Sequence, residues 1–326
     1  MTAVAPAVAV ARPWTPLGIN LYAPAFGVFC GCLLAISASL SFAWARAGIL
    51  GGMTAMDLTL IRFCVAGTIF LPVLLRAGLW SLAGIGWPRG LVLLLTGGPL
   101  FILPQAAGYV FAPLAHGGVI APATVTVFST ILAAIFLRER LNLTHIIGAG
   151  LVITGIVLIS WHGLMAEPGS KTWIGDLLFI GSSLLWGTFS VLLRAWRLNA
   201  LLAVAVISVL SALVMIPLYG GLIGWAHLLT LRPGQVAIQA LFQGVLQGAI
   251  GIVAYSHAIR VLGVSRGVLF PASVPAVSIL LGIPVLGEIP TGMQLAGVAL
   301  VTAGLVYAVG AFRRRPIIAP TPRAGG

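Results

Sequence analysis

Gln243, Gln247, Ala254 and His257 stand in an otherwise apolar stretch and fall within about 80° of one another on a helix of 3.6 residues per turn. Two amides and an imidazole on one face of such a helix cost free energy unless they are paired or wet. They can hydrogen-bond a solute, or they can bond to a neighbouring helix for roughly 0.6 kcal/mol apiece. Both readings stand for this face, with His257 nearest a membrane rim. Gln105, which ends "TGGPLFILPQ", and Tyr109 form a second polar pair beside glycines and prolines that weaken or break a helix.

Smaller polar stripes recur at helical spacing. They are Ser37, Ser41 and Trp44; Ser183, Trp186 and Ser190; Pro122, Thr126, Ser129 and Ala133; and Pro271, Pro275, Ser278 and Gly282. Small, weakly polar faces serve close helix packing or cavity lining. The prolines free carbonyls that lipid could not satisfy, so their face must look into protein or water. Trp186 lies well inside its apolar run and is read as a pocket wall, whereas Trp near a helix end is often an interface anchor.

Covalent and metal chemistry find little to work with. The chain has no glycine-rich phosphate loop, zinc motif or acidic pair suited to magnesium. Cys30, Cys32 and Cys64 lie in apolar runs, where packing is their expected role. No cofactor and no metal site is expected, and no Ser/Lys or Ser/His pair argues for an intramembrane enzyme. The five acids stand in loops or at the ends of apolar runs. A proton-coupled mechanism would therefore use Asp176, Asp57 or His257, and Asp176 is the acid nearest membrane depth in the second half. Arg62, about one turn inside its run, is expected to snorkel to the outer interface and pair with Asp57; the other reading is attraction of an anionic solute.

These groups must be held by elements that cross a membrane. The chain is 60% hydrophobic and 7% charged, against roughly a quarter charged in soluble domains. Ten apolar runs lie near 25–45, 58–75, 90–112, 117–137, 143–161, 173–194, 200–222, 236–259, 263–286 and 291–312. Such runs span a hydrocarbon layer of about 30 Å as helices. Alternating the loops between two sides puts 13 basic residues on one side and 4 on the other. Positive residues stay inside, so both termini are expected in the cytoplasm, facing anionic lipid and not nucleic acid. Residues 1–24 and 313–326 read as disordered cytoplasmic tails. "FLRERLN" (136–142) becomes a cytoplasmic turn, with Arg138 after one helix's carbonyl end and Glu139 before the next helix's amide end.

The chain also repeats itself. At an offset of 149, residues 122–159 match 271–308 at 12 of 38 positions, including Pro122/Pro271, Ser129/Ser278, Glu139/Glu288, Gly148/Gly297 and Gly155/Gly304. At 146, Tyr109 pairs with Tyr255 and Gly98 with Gly244. Five spans are an odd number, so the second copy enters from the opposite side. The expected fold is an all-α polytopic membrane protein of ten transmembrane helices in two inverted five-helix repeats, residues 25–161 and 173–312. Inverted halves can exchange inward-open and outward-open shapes around a central site, a common plan among secondary transporters.

The segments "DLTLIRFCVAGTIFLPVLL", "PATVTVFSTILAAIFLRERLNLTHIIGAGLVITGIVLIS" and "PASVPAVSILLGIPVLGEIPTGMQLAGVALVTAGLVYAVG" resemble EamA-type members of the drug/metabolite transporters. The resemblance covers about residues 25–312 and implies ten spans in two homologous halves, each ending in a Glu-bearing turn and a Gly-rich helix. It implies export of a small organic metabolite, amino-acid-like or drug-like. The first span departs from the pattern: "ISASLSFAWARAG" lacks the Trp-Gly pair that "LLWGTFSVLLRAW" keeps. The expectation is an inner-membrane secondary transporter working by alternating access, with a lipid-linked flippase as the runner-up. Its partners are a small solute and the bilayer.

Overall fold

The computed structural model describes residues 23–166, 170–267 and 269–308. The expected tails lie outside the described residues, except that Pro24 already opens the first helix. Ten helical spans follow: α1 (Pro24–Leu50), α2 (Ala55–Ala77), α3 (Trp87–Phe111), α4 (Leu114–Phe136), α5 (Leu143–Ala166), α6 (Thr172–Ala195), α7 (Ala200–Leu222), α8 (Pro233–Leu262), α9 (Leu269–Leu286) and α10 (Gly292–Ala308). The first nine are long and apolar enough to cross a membrane, and α10 is a shorter apolar helix. Apolar side chains such as Phe29, Leu75, Ile135 and Leu280 point outward, as a lipid-facing surface requires.

Local sequence sets the ends. Thr54 and Asp57 form a capping box at the start of α2, with Asp57 accepting from the Thr54 N–H at 2.7 Å. The box satisfies donors that the first turn leaves orphaned. It starts α2 three residues before the expected boundary, so Arg62 stands two turns inside the helix, deeper than the sequence suggested. Gly98 breaks α3 between Trp87–Gly97 and Pro99–Phe111, inside the stretch where a break was expected. In α8, residues Ala240–Ile250 are wound as a π-helix. The strict 3.6-residue period assumed for that face therefore fails there, although Gln243 and Gln247 still look toward α1.

Packing follows the repeat. The pair α1/α9 is matched by α6/α4, and α3/α6 by α8/α1, while α2/α7 and α5/α10 pair with their own counterparts across the axis. At the α5/α10 crossing the backbones touch twice. A Cβ at Gly155 would come within 2.6 Å of the Gly297 carbonyl, and one at Gly304 within 2.7 Å of the Gly148 carbonyl. Gly148 and Gly297 are repeat mates, as are Gly155 and Gly304, so each contact is the image of the other. Only glycine permits this approach.

Candidate functional site

Two small cavities lie between the halves, each about 20 Å³ in volume, and Arg62 lines both. One is bounded by Ser41, Ala45, Gln105, Tyr109 and Gln243, from α1, α3 and α8. The other is bounded by Phe63, Trp186, Ile207, Gly248 and Ile252, from α2, α6, α7 and α8. Each has room for about one water molecule, so a solute can enter only if the helices part. A third cavity, about 270 Å³, lies among Leu114, Gly282, Glu288 and Gln294 at the end of the bundle opposite the arginine-rich loops.

The structure brings Gln105, Tyr109, Trp186 and Gln243 to these two central cavities. Tyr109 is fully buried against Phe179, and its hydroxyl has no hydrogen-bond partner. Trp186 stacks on Phe101 with ring centroids 4.7 Å apart and packs on Phe189. Gln243 accepts from the Ser41 hydroxyl at 2.7 Å and donates to the Ser41 carbonyl at 2.7 Å, tying α8 to α1.

The other sequence candidates stand outside the two cavities. The Gln247 amide oxygen accepts from Ser37 at 3.2 Å. Trp44 stacks on Phe242, and its carbonyl accepts from Gln239. The hydroxyls of Thr126 and Ser190 donate to carbonyls one turn back, Pro122 and Trp186. Ser183 donates to Phe179 and also across to Ala121 of α4. Ser278 is buried against Gly118 with its hydroxyl unpartnered. His257 packs edge-on against Phe26 and sits 3.2 Å from Arg260, at the arginine-rich end of α8.

Three ionic arrangements go beyond the sequence reading. The expected Arg62–Asp57 pair does not form. Asp57 is wholly buried and accepts from Tyr219 at 2.5 Å, with His227 at 3.3 Å, so it fastens α2 to the end of α7 and the short helix Trp225–Thr230. Asp176 pairs with His116 Nδ1 at 2.8 Å, both buried, and His116 Nε2 has no partner. Nothing local flagged His116, because its partner is 60 residues away.

The third arrangement is a pair of clasps. At the α9–α10 turn, Glu288 binds Arg46 of α1 at 3.2 Å and accepts from the Leu114 N–H at 2.8 Å, while Arg46 also donates to the Tyr109 carbonyl. At the α4–α5 turn, Glu139 binds Arg194 of α6 at 3.3 Å. Glu139 and Glu288 are repeat mates at offset 149, and Arg46 and Arg194 lie 148 apart. One Arg–Glu pair thus stands at each end of the bundle, related by the internal symmetry.

The EamA-like transporter family matches residues 25–161 and again 173–310. The chain belongs to this family. A similar protein of Streptantibioticus cattleyicolor, named a probable terminal-alkyne amino-acid exporter, is 26% identical over 186 residues, which are 56% of this chain and 60% of that relative. A solved crystal structure, described only as that of a protein, aligns with 90% of this chain and 100% of its own at 22% identity and a TM-score of 0.60. That likeness is one of fold. The family match and the long apolar helices make this a multi-pass membrane protein of the EamA-like transporter family.

Proposed function

We propose that the protein is an inner-membrane secondary transporter that exports a small organic solute, amino-acid-like or drug-like, by alternating access. The observation that carries the reading is the pair of symmetry-related clasps, Arg46–Glu288 and Arg194–Glu139, one at each end of a contracted central site. Opening one while the other stays shut would expose Arg62, Gln105, Tyr109, Trp186 and Gln243 to one side at a time. The excess of basic loops on one side supports cytoplasmic termini, which places Arg194–Glu139 at the cytoplasmic rim and Arg46–Glu288 at the outer rim. The name of the S. cattleyicolor relative supports export of amino-acid-like solutes.

Gln247, Trp44, Ser183 and His257 serve this site by bonding or packing across the helices that frame it, whereas Thr126 and Ser190 bond within their own helices. His116–Asp176 is the pair through which a proton would be coupled if one is. With carboxylates so few, exchange should run on the solute gradient. The test compares extracellular metabolites of an overexpressing strain with those of its deletion, then follows labelled-for-unlabelled exchange of the solute found, in reconstituted vesicles. Exchange should proceed without a pH gradient. A strict requirement for the gradient would shift the mechanism to His116–Asp176, and movement of a fluorescent lipid instead of a solute would establish a flippase.

A further inference from the structure

We infer that Arg62 is the receptor for a carboxylate on the transported solute, an assignment that rests on the transport reading and deepens it. Arg62 is half-buried two turns inside α2 and lines both central cavities. Among the described residues no carboxylate lies within ion-pair distance of it. Asp57, Glu139, Asp176 and Glu288 are each held by another partner, His227, Arg194, His116 and Arg46 respectively. The guanidinium does donate to Gln243 Oε1, but at 3.4 Å, and that oxygen already accepts the shorter bond from Ser41. A guanidinium carries five N–H donors in a rigid fork that matches a carboxylate, so most of its capacity is unspent. A cation left in this condition within a membrane bundle is costly to keep and marks a substrate or ion path.

An independent observation comes from Tyr109. Its hydroxyl is fully buried and has no partner, and the residue lines one of the cavities that Arg62 lines. An unpartnered O–H donor and a guanidinium with donors to spare, carried by residues that line one cavity, are complementary to an anion. Neither cavity is lined by a second cation, so a dianion or a phosphate lacks a counter-charge. The other cavity that Arg62 lines is mainly apolar, with Phe63, Ile207, Ile252 and Trp186 beside a single hydroxyl residue, Ser208. The solute is therefore a monocarboxylate with a compact apolar body, its anionic end on Arg62 and Tyr109 and its body against Trp186.

Three probes share one apolar body and separate the charges: leucine, leucinamide and 4-methylpentanoate. Binding of each to the full chain in lipid nanodiscs is measured by calorimetry, and counterflow of labelled leucine is followed in proteoliposomes. Leucine and 4-methylpentanoate should bind and leucinamide should not. Arg62→Gln should lower carboxylate affinity roughly tenfold to 150-fold, and Arg62→Lys by less. If Arg62→Gln does not insert, Tyr109→Phe supplies the readout, with a loss of about threefold to tenfold in leucine and 4-methylpentanoate affinity. Equal binding of leucine and leucinamide, or carboxylate binding unchanged in Arg62→Gln or Tyr109→Phe, overturns the assignment and leaves transport standing. Carboxylate binding without counterflow refutes the transport reading alone, and binding of none of the three overturns the assignment while the metabolite comparison still decides transport.

Discussion

The Arg46–Glu288 and Arg194–Glu139 pairs are one device built twice, but they are set in different surroundings. The side chains of Arg46 and Glu288 are 16% and 27% exposed, against 51% and 52% for Arg194 and Glu139. Glu288 also takes the Leu114 N–H, and Arg46 also reaches the Tyr109 carbonyl, so the first clasp joins α1, α3, α4 and the α9–α10 turn. The second clasp is one ion pair in solvent. Exposed pairs contribute about 0–1 kcal/mol and are screened by salt, whereas partly buried, multiply bonded ones resist both solvent and salt. On the proposed orientation the chain has been caught firmly shut on the outside and only lightly tied at the cytoplasm. The internal symmetry relates the two pairs, and their surroundings set their strengths apart.

The comparison is bounded first by the axis, where the two copies should behave alike. Gly148→Ala and Gly297→Ala each drive a Cβ into a backbone carbonyl at 2.7 Å, so each should destabilise by about 1–3 kcal/mol. Gly150→Ala, whose Cβ meets nothing within 4 Å, should be neutral. Thermal unfolding in detergent reads all three, and a large inequality between the first two would mean that the asymmetry reaches the crossing. At the rims the copies should differ. Glu288→Gln should raise labelling of Ala45→Cys by a membrane-impermeant maleimide applied outside, about tenfold, in a chain freed of Cys30, Cys32 and Cys64. The smallest effect belongs to Glu139→Gln, which should change the same labelling less than about threefold. Equal responses at the two rims would remove the distinction drawn here.

Most of the fold could be read from the sequence because a bilayer leaves few choices: ten apolar runs must be ten helices, and the 149-residue offset relates them. Part of the lining of the candidate site was legible for the same reason. Gln105, Tyr109, Trp186 and Gln243 are polar or aromatic groups too deep to be explained by an interface, and they line the cavities. Thr126, Ser183 and Ser190 looked equivalent but donate to carbonyls one turn back, an outlet that hydroxyls have and amides lack. The expected Arg62–Asp57 pair fails because Asp57 is claimed by Tyr219 and His227 from α7 and beyond. No short-range pattern records that contact. The clasps join positions 242 and 55 residues apart, yet a signal for them was present: the offset that aligns Glu139 with Glu288 also brings Arg46 within one residue of Arg194.

That no carboxylate among the described residues partners Arg62 has a consequence for voltage. On the proposed mechanism, a carboxylate that bears no second charge makes the central site electrically neutral, and the loaded protein then changes shape without carrying net charge through the field. A zwitterion such as leucine leaves the positive charge in place. The empty protein carries the guanidinium's charge, so the membrane potential acts on the return stroke, at up to about 2.3 kcal/mol per 100 mV for a charge that senses the whole field. An inside-negative potential then favours the empty site opening toward the cytoplasm, the rim that Glu139 and Arg194 hold only lightly.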